Sequence, residues 1–175
     1  MFLIAGISGS GKTHTTRALA ALDGQWNVVR ASGLLADAGR PLRPLSVEDA
    51  IQNQWRLMEL MRESGLLGHD DVVLDGHVTV ETTAGMINIP DEWYDAACLE
   101  GIAHVVSDPA DIAGRRRSRG LPIWTEAEAE GFQVAERQEA QSQAGRLGLP
   151  YLDLPSGNAE RLRRWMGEIS SAQRR

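Results

Sequence analysis

An α/β fold with a mainly parallel sheet covered on both faces is what this sequence predicts, and three observations predict it. Short apolar runs alternate along the chain with longer amphipathic ones, the pattern of successive β-α units. One of the apolar runs, Asp71-Val72-Val73-Leu74-Asp75, is continuous rather than alternating, as a strand buried on both faces must be. The first run, Phe2-Leu3-Ile4-Ala5, passes through Gly6-Ile7-Ser8-Gly9-Ser10-Gly11-Lys12-Thr13 straight into an amphipathic run ending at Leu22. That is strand, glycine-rich loop, helix.

The 175 residues suit one domain, 1–175, with a substantial core. A net charge of −6 argues against broad nucleic-acid binding. The single cysteine, Cys98, excludes an internal disulfide and a cysteine metal cluster. The run over residues 2–5 is too short for a signal peptide or a membrane span, so a cytoplasmic protein is expected. A homo-oligomer is left open.

In chain order, residues 26–30 read as a second strand ending near Ser32 and Gly33, and a Gly/Pro-rich loop over 39–44 carries Arg40 and Arg43. Ser46 reads as an N-cap with Asp49 at the third helical position. Val47, Ile51, Trp55, Met58 and Met61 then predict a helix over 46–64, with Trp55 in the core. The buried strand at 71–75 follows, and residues 76–90 read as a long irregular segment of the kind that carries function. A short helix is expected from Pro90 to Leu99, and a strand over 102–106 holding a packed His104; His69 reads as a loop residue. Asp108-Pro109 opens a helix ending in Arg115-Arg116-Arg117-Ser118-Arg119. Thr125 and Glu128 form a capping box for a helix to about Leu147. Residues 151–154 are a last strand, and Ser156 is expected to cap a final helix with Leu162, Trp165, Met166 and Ile169 on one stripe. The tail over 173–175 is expected to fray.

The loop carries the chemistry. Its glycines let backbone N–H groups converge on an anion, and the helix N-terminus adds positive charge. Lys12 is expected to stand exposed in the empty loop and to reach the β- and γ-phosphates of ATP, with the Thr13 hydroxyl ligating Mg²⁺. Gly6, Ser8, Gly9, Ser10, Gly11, Lys12 and Thr13 form the nucleotide-binding set; His14, one residue past the motif, faces solvent or the nucleotide. Lys12 is the one lysine in the chain, and the motif needs a compact ammonium there that arginine's planar fork does not replace. Asp75, at the C-terminal end of its strand, lies on the edge where parallel sheets bind ligands and can serve Mg²⁺ or an acceptor hydroxyl. The arginine cluster offers donors for phosphoryl oxygens in a transition state.

With these residues in place the chain resembles the P-loop small-molecule kinases, and among them the archaeal-type adenylate kinases. The likeness rests on the loop over 6–13, on Pro41-Leu42-Arg43-Pro44-Leu45-Ser46-Val47-Glu48, on Asp75-Gly76-His77 with Thr82, Gly85 and Pro90, and on Asp108-Pro109 with Ile112, Arg115 and Arg137. The resemblance implies a five-stranded parallel sheet in order 2-3-1-4-5 with helices on both faces. It also implies a helical acceptor-side region at about 33–64 and a short lid at about 115–124. The implied reaction is phosphoryl transfer from Mg·ATP to a nucleoside monophosphate, with Lys12, Asp75, Arg115, Arg119 and Arg137 catalytic and Ser32, Arg43, His77 and Glu81 facing the acceptor. Two departures qualify it. The lid lacks a second arginine cluster, and Glu81 stands where the family has an arginine, so that it should repel an acceptor phosphate. A neutral hydroxyl compound therefore competes with a nucleotide or nucleoside as acceptor. A hydroxyl on a nucleic acid or modified base is disfavoured by the charge, and a regulatory ATPase switch is the alternative of another class. A GTPase is disfavoured, because no Asn-Lys-x-Asp signature can exist when the one lysine is Lys12.

Overall fold

The computed structural model describes residues 1–43 and 45–173; the expected fraying at Arg174 and Arg175 lies outside them. Five parallel strands form the central sheet: β1 (Phe2–Ala5), β2 (Asn27–Arg30), β3 (Val72–Asp75), β6 (Gly101–Val106) and β7 (Tyr151–Pro155), in spatial order β2-β3-β1-β6-β7. Counting the sheet's own strands in sequence, that order is 2-3-1-4-5, as the resemblance implies. β1 lies in the middle, with Ile4 opposite Asp75 on one side and Ala103 on the other.

The helices are α1 (Lys12–Leu22), α2 (Ala31–Asp37), α3 (Val47–Glu63), α4 (Asp91–Ala96), α5 (Pro109–Ser118), α6 (Glu126–Leu147) and α7 (Ala159–Gln173). Alternate residues of each strand face opposite layers. Leu3, Ala5, Val72 and Leu74 pack on α3, α4 and α6 through Leu57, Met58, Met61, Trp93, Tyr94, Ala140 and Ala144. Phe2, Ile4, Val73 and Ala103 pack on α1 and α7 through Leu19, Leu162 and Met166. With both faces covered, β1 and β3 are buried along their whole length. Among the described residues no helix is long and apolar enough to cross a membrane.

Four local expectations are corrected. The second strand ends at Arg30 and not near Ser32 and Gly33, and the chain turns at once into α2. Residues 79–88 are not irregular: β4 (Thr79–Thr82) and β5 (Gly85–Asn88) form an antiparallel hairpin, with Thr82 opposite Gly85 across the Thr83-Ala84 turn. Threonine and valine favour the extended backbone, and Gly85 takes φ +112° where the turn re-enters the ladder. On α3, Val47, Ile51 and Trp55 are not core; Trp55 is 38% exposed. Each step of four residues advances about 40° beyond a full turn, so this row drifts off the buried face. That face is held by Ala50, Asn53, Gln54, Leu57 and Met61. Finally, Asn158 rather than Ser156 caps the last helix, accepting from the Arg161 amide at 3.1 Å. Elsewhere the cap at Ser46, the capping box at Thr125 and Glu128, and a fully buried His104 are as expected. Burial drives the His104 pKa down to about 4, with Asp153 opposing the shift.

Candidate active site

The phosphate loop leaves the C-terminal end of β1 and enters α1 at Gly11. The Ser10 amide donates to the Ile7 carbonyl at 3.1 Å, which closes the turn. At Gly9, φ is +100° and a Cβ would meet the Ile112 carbonyl at 3.1 Å and Arg116 Cγ at 3.2 Å. Glycine there allows α5 to lie directly on the loop. From α5, Arg115 Nη1 donates to the Gly9 carbonyl at 3.0 Å and to Ser107 Oγ at 3.0 Å, while Ser107 Oγ donates to the Ser10 carbonyl at 2.6 Å. The loop is thus braced from outside before any ligand arrives.

Lys12 is not exposed: it retains 7% of its surface and donates to the Gly6 carbonyl. The loop curls around its side chain, and burial lowers its pKa, with the charges of Asp75 and Glu136 acting in the opposite direction. Thr13 Oγ1 donates to Asp75 Oδ2 at 2.7 Å, and Thr16 Oγ1 lies 3.5 Å from the same oxygen. A hydroxyl and a carboxylate side by side next to a phosphate loop are hard oxygen donors of the kind Mg²⁺ takes while it keeps several waters. No cluster of three His, Cys, Asp or Glu side chains able to hold a metal alone occurs among the described residues. The fit is to a phosphate-bound Mg²⁺ and not to a protein-caged ion.

Beyond Asp75 the loop opens into a cleft of about 390 Å³. Ser8, Gly11, Lys12, Thr13, Asp75 and Arg119 line it together with Ser32, Arg43, His77 and Glu81. Its floor is apolar, formed by Leu35, Leu57 and Trp93 among others. Ser32, Arg43, His77 and Glu81 thus share one cleft with the loop residues. His77 is held neutral, its pKa well below the ordinary value because of burial and the nearby Lys12 and Arg43 cations.

Glu81 is not a free carboxylate. It accepts from Arg43 Nη1 at 2.7 Å and from Arg116 Nη2 at 2.9 and 3.1 Å. Arg116 is fully buried; its Nε donates to the Pro122 carbonyl, and its guanidinium lies 3.3 Å over the Trp124 ring. The repulsion expected from Glu81 is corrected accordingly: two cations enclose one anion, and what Glu81 does is occupy Arg43. Of the arginine cluster, Arg115 braces the loop, Arg116 fastens the following segment, Arg117 is exposed and Arg119 faces the cleft.

Arg137 is a second correction. It forms an exposed ion pair with Asp153 on β7 and does not line the cleft. The residue that α6 delivers to the loop is its neighbour Glu136, about 100° around the helix. His14 likewise lies outside the lining, exposed beside the turn at Gly157. Gly6, Gly9 and Ser10 shape the loop from beneath without facing the cleft.

Sequence reasoning missed Arg30, Gln54, Trp93, Trp124 and Glu136, and it read Arg116 as one of a cluster of phosphoryl donors where the structure has it tying Glu81 to the Pro122–Trp124 segment. For Glu136 a signal existed: Ala129, Gln133, Glu136, Ala140, Gln143 and Ala144 recur at helical spacing and are all buried. Such a stripe has low hydrophobicity, so a search for apolar periodicity passes over it.

No family model matches the chain, and no curated protein matches it by sequence. Solved structures do match over nearly the whole length. A shikimate kinase from Acinetobacter baumannii in complex with shikimate is 14% identical, with a TM-score of 0.61 over 98% of this chain and 93% of that one. A gluconokinase from Sinorhizobium meliloti is 16% identical, with a TM-score of 0.54 over 98% and 91%. A deoxyadenosine kinase from M. mycoides with bound dATP is 9% identical, with a TM-score of 0.56 over 95% and 98%. The fold is that of the P-loop kinases. At these identities the likeness concerns the backbone, and the chemistry of this chain has to be argued from its own side chains.

Proposed function

We propose that this protein is an ATP-dependent phosphotransferase acting on a small-molecule acceptor, with residues 1–175 as a single kinase domain in the cytoplasm. The observation that carries the reading is the contact of Thr13 with Asp75 beside a single cleft that the phosphate loop shares with Ser32, Arg43, His77 and Glu81. A hydrolase needs room for a water; a cleft of about 390 Å³ running past the metal-side carboxylate has room for a second substrate.

Within this reading the loop amides and Lys12 hold the phosphates, and Thr13 and Asp75 hold Mg²⁺. The ion supplies charge neutralisation at the phosphoryl oxygens. Arg119 lines the cleft and meets the negative charge that spreads in the transition state. Asp75 and Glu81 are the carboxylates of the cleft lining that would take the proton of an acceptor hydroxyl. Residues 115–124 serve as the lid and 33–64 as the acceptor-side region. Catalysis consists of positioning and electrostatics, with no covalent step on the protein.

A nucleotide or nucleoside acceptor is supported by the resemblance to archaeal-type adenylate kinases and by one structural neighbour being a deoxyadenosine kinase. A hydroxyl compound of another kind is favoured by one observation of its own: Arg43, the acceptor-side clamp, is engaged by Glu81. The deciding measurement is ADP formation from Mg·ATP with AMP, adenosine, shikimate and gluconate in turn, against a control without acceptor. Stimulation by one of them is expected. Unstimulated hydrolysis, raised instead by a protein partner, would replace the kinase reading with that of a nucleotide switch.

A further inference from the structure

At the back of the cleft four donors converge on one carboxylate. Glu136, midway along α6, is fully buried. One of its oxygens accepts from the Gly6 amide at 3.1 Å and the Val78 amide at 3.1 Å; the other accepts from the Thr79 amide at 3.2 Å and from the Thr79 hydroxyl. Backbone N–H groups donate and cannot accept, so both oxygens must be acceptors, a demand that a carboxylate meets and a glutamine amide does not. Burial pushes the Glu136 pKa up, while the Thr79 hydroxyl, the Lys12 ammonium and the amides pull it back.

The donors belong to the two halves of the site. Gly6 opens the phosphate loop, and its carbonyl receives the Lys12 ammonium. It has little lateral freedom, since a Cβ there would lie 2.7 Å from Ser10 Oγ and 3.1 Å from the Val105 carbonyl. Val78 and Thr79 follow His77 into β4, the strand that carries Glu81, and Thr79 lines the cleft. When phosphates draw Lys12 off the Gly6 carbonyl, the peptide on the other side of Gly6 stays tied to Glu136. A carboxylate is rigid and planar, so a displacement felt at one oxygen is carried to the donors on the other.

We propose that Glu136 is a positioning residue that couples occupancy of the phosphate loop to the shape of the acceptor half of the cleft, so that bound nucleotide orders the strand facing the acceptor. The proposal rests on the two-substrate reading above. It goes beyond that reading in assigning to α6 the link between the sites, a coupling free energy carried by one side chain.

Amide hydrogen exchange on the full chain, with and without Mg²⁺ and the non-hydrolysable analogue AMP-PNP, tests it. In the wild type the analogue is expected to slow exchange over residues 6–13, and over residues 77–80 by about tenfold. In Glu136→Gln the protection of 6–13 remains while the response at 77–80 falls below about twofold, a split that mere loss of stability would not produce. Thr79→Val, which keeps the carboxylate and both amides and drops only the hydroxyl, is expected to give an intermediate response, and it decides the matter if Glu136→Gln does not fold. An undiminished response at 77–80 in Glu136→Gln, or in Thr79→Val where that variant decides, overturns the proposal. So does protection at 6–13 without any at 77–80 in the wild type. Absence of protection at 6–13 in the wild type is a different failure, that of the nucleotide reading itself, and the coupling falls with it.

Discussion

Lys12 is buried within reach of the charges of two carboxylates, Asp75 and Glu136, with its ammonium on the Gly6 carbonyl. An alanine there does more than remove a phosphate ligand: it leaves buried negative charge uncompensated, and a loss of about 1–3 kcal/mol of stability is expected alongside the loss of activity. Lys12→Arg keeps the charge but brings a planar fork into a space shaped for an ammonium, so turnover should fall by about a hundredfold or more. Steady-state kinetics with urea unfolding checks both, and wild-type turnover in the arginine variant would remove Lys12 from the centre of the mechanism. Arg115 of α5 and Arg119 at its C-cap then divide by what they touch. Arg119 makes no ion pair among the described residues and lines the cleft; Arg119→Ala should lower kcat about a hundredfold with a much smaller change in ATP affinity. Arg115 already holds the Gly9 carbonyl, so Arg115→Ala should weaken ATP binding and kcat together. The assignment is reversed if Arg119→Ala loses only ATP affinity.

Among the elements, α5 and the segment after it depend most on a single side chain. Arg116 ties the Pro122 carbonyl, the Trp124 ring and the β4 carboxylate of Glu81 together from a fully buried position. Arg116→Ala removes all three contacts and should cost about 3 kcal/mol, a fall in melting temperature of roughly 10 °C in a chain of this size. A melting temperature within about 2 °C of wild type would mean that the 115–124 segment is held by other contacts. Arg116 also marks where reading the sequence stops. β1, the phosphate loop and α1 were legible because their chemistry is contiguous, each residue acting within a few positions of the next. The caps at Ser46 and Thr125 were legible for the same reason. The Arg116–Glu81 pair joins residues 35 apart, and nothing local to Arg116 distinguishes it from Arg115 or Arg117 in a run of arginines. α3 was misphased because its buried face carries Asn53 and Gln54. Asn53 is satisfied by Arg40 and the Pro41 carbonyl, and its burial follows from those distant partners and not from its polarity.

Over the whole molecule, a chain of net charge −6 encloses a cleft of opposite sign. Lys12, Arg30, Arg43 and Arg119 line it against Asp75 and Glu81, with Arg116 buried just behind. In the proposed reading Lys12 and Arg119 meet the donor phosphates and Asp75 the metal, which leaves Arg30, Arg43 and Arg116 against Glu81. That balance attracts an anion, and because Arg43 and Arg116 both donate to Glu81, Arg30, which makes no ion pair among the described residues, is the fork left to meet a phosphate. Glu81→Gln separates charge from geometry at this position. It keeps the side chain's size, removes the anion and releases Arg43 toward the cleft. AMP, whose phosphate would meet that guanidinium, should gain about tenfold in kcat/KM, corresponding to about 1.4 kcal/mol of restored attraction. Adenosine, which has no phosphate, should change little. The variant will also melt below wild type, since Arg116 loses its carboxylate, so thermal unfolding has to accompany the kinetics to establish that the measured enzyme is folded. If the folded variant gains nothing with AMP, Arg43 is not a phosphate clamp, and its pairing with Glu81 serves to fasten the loop before α3 to the hairpin. If both acceptors lose activity equally, the Arg43–Glu81–Arg116 chain acts as a single structural tie across the cleft mouth, and the choice of acceptor rests on Ser32, His77 and the apolar floor instead.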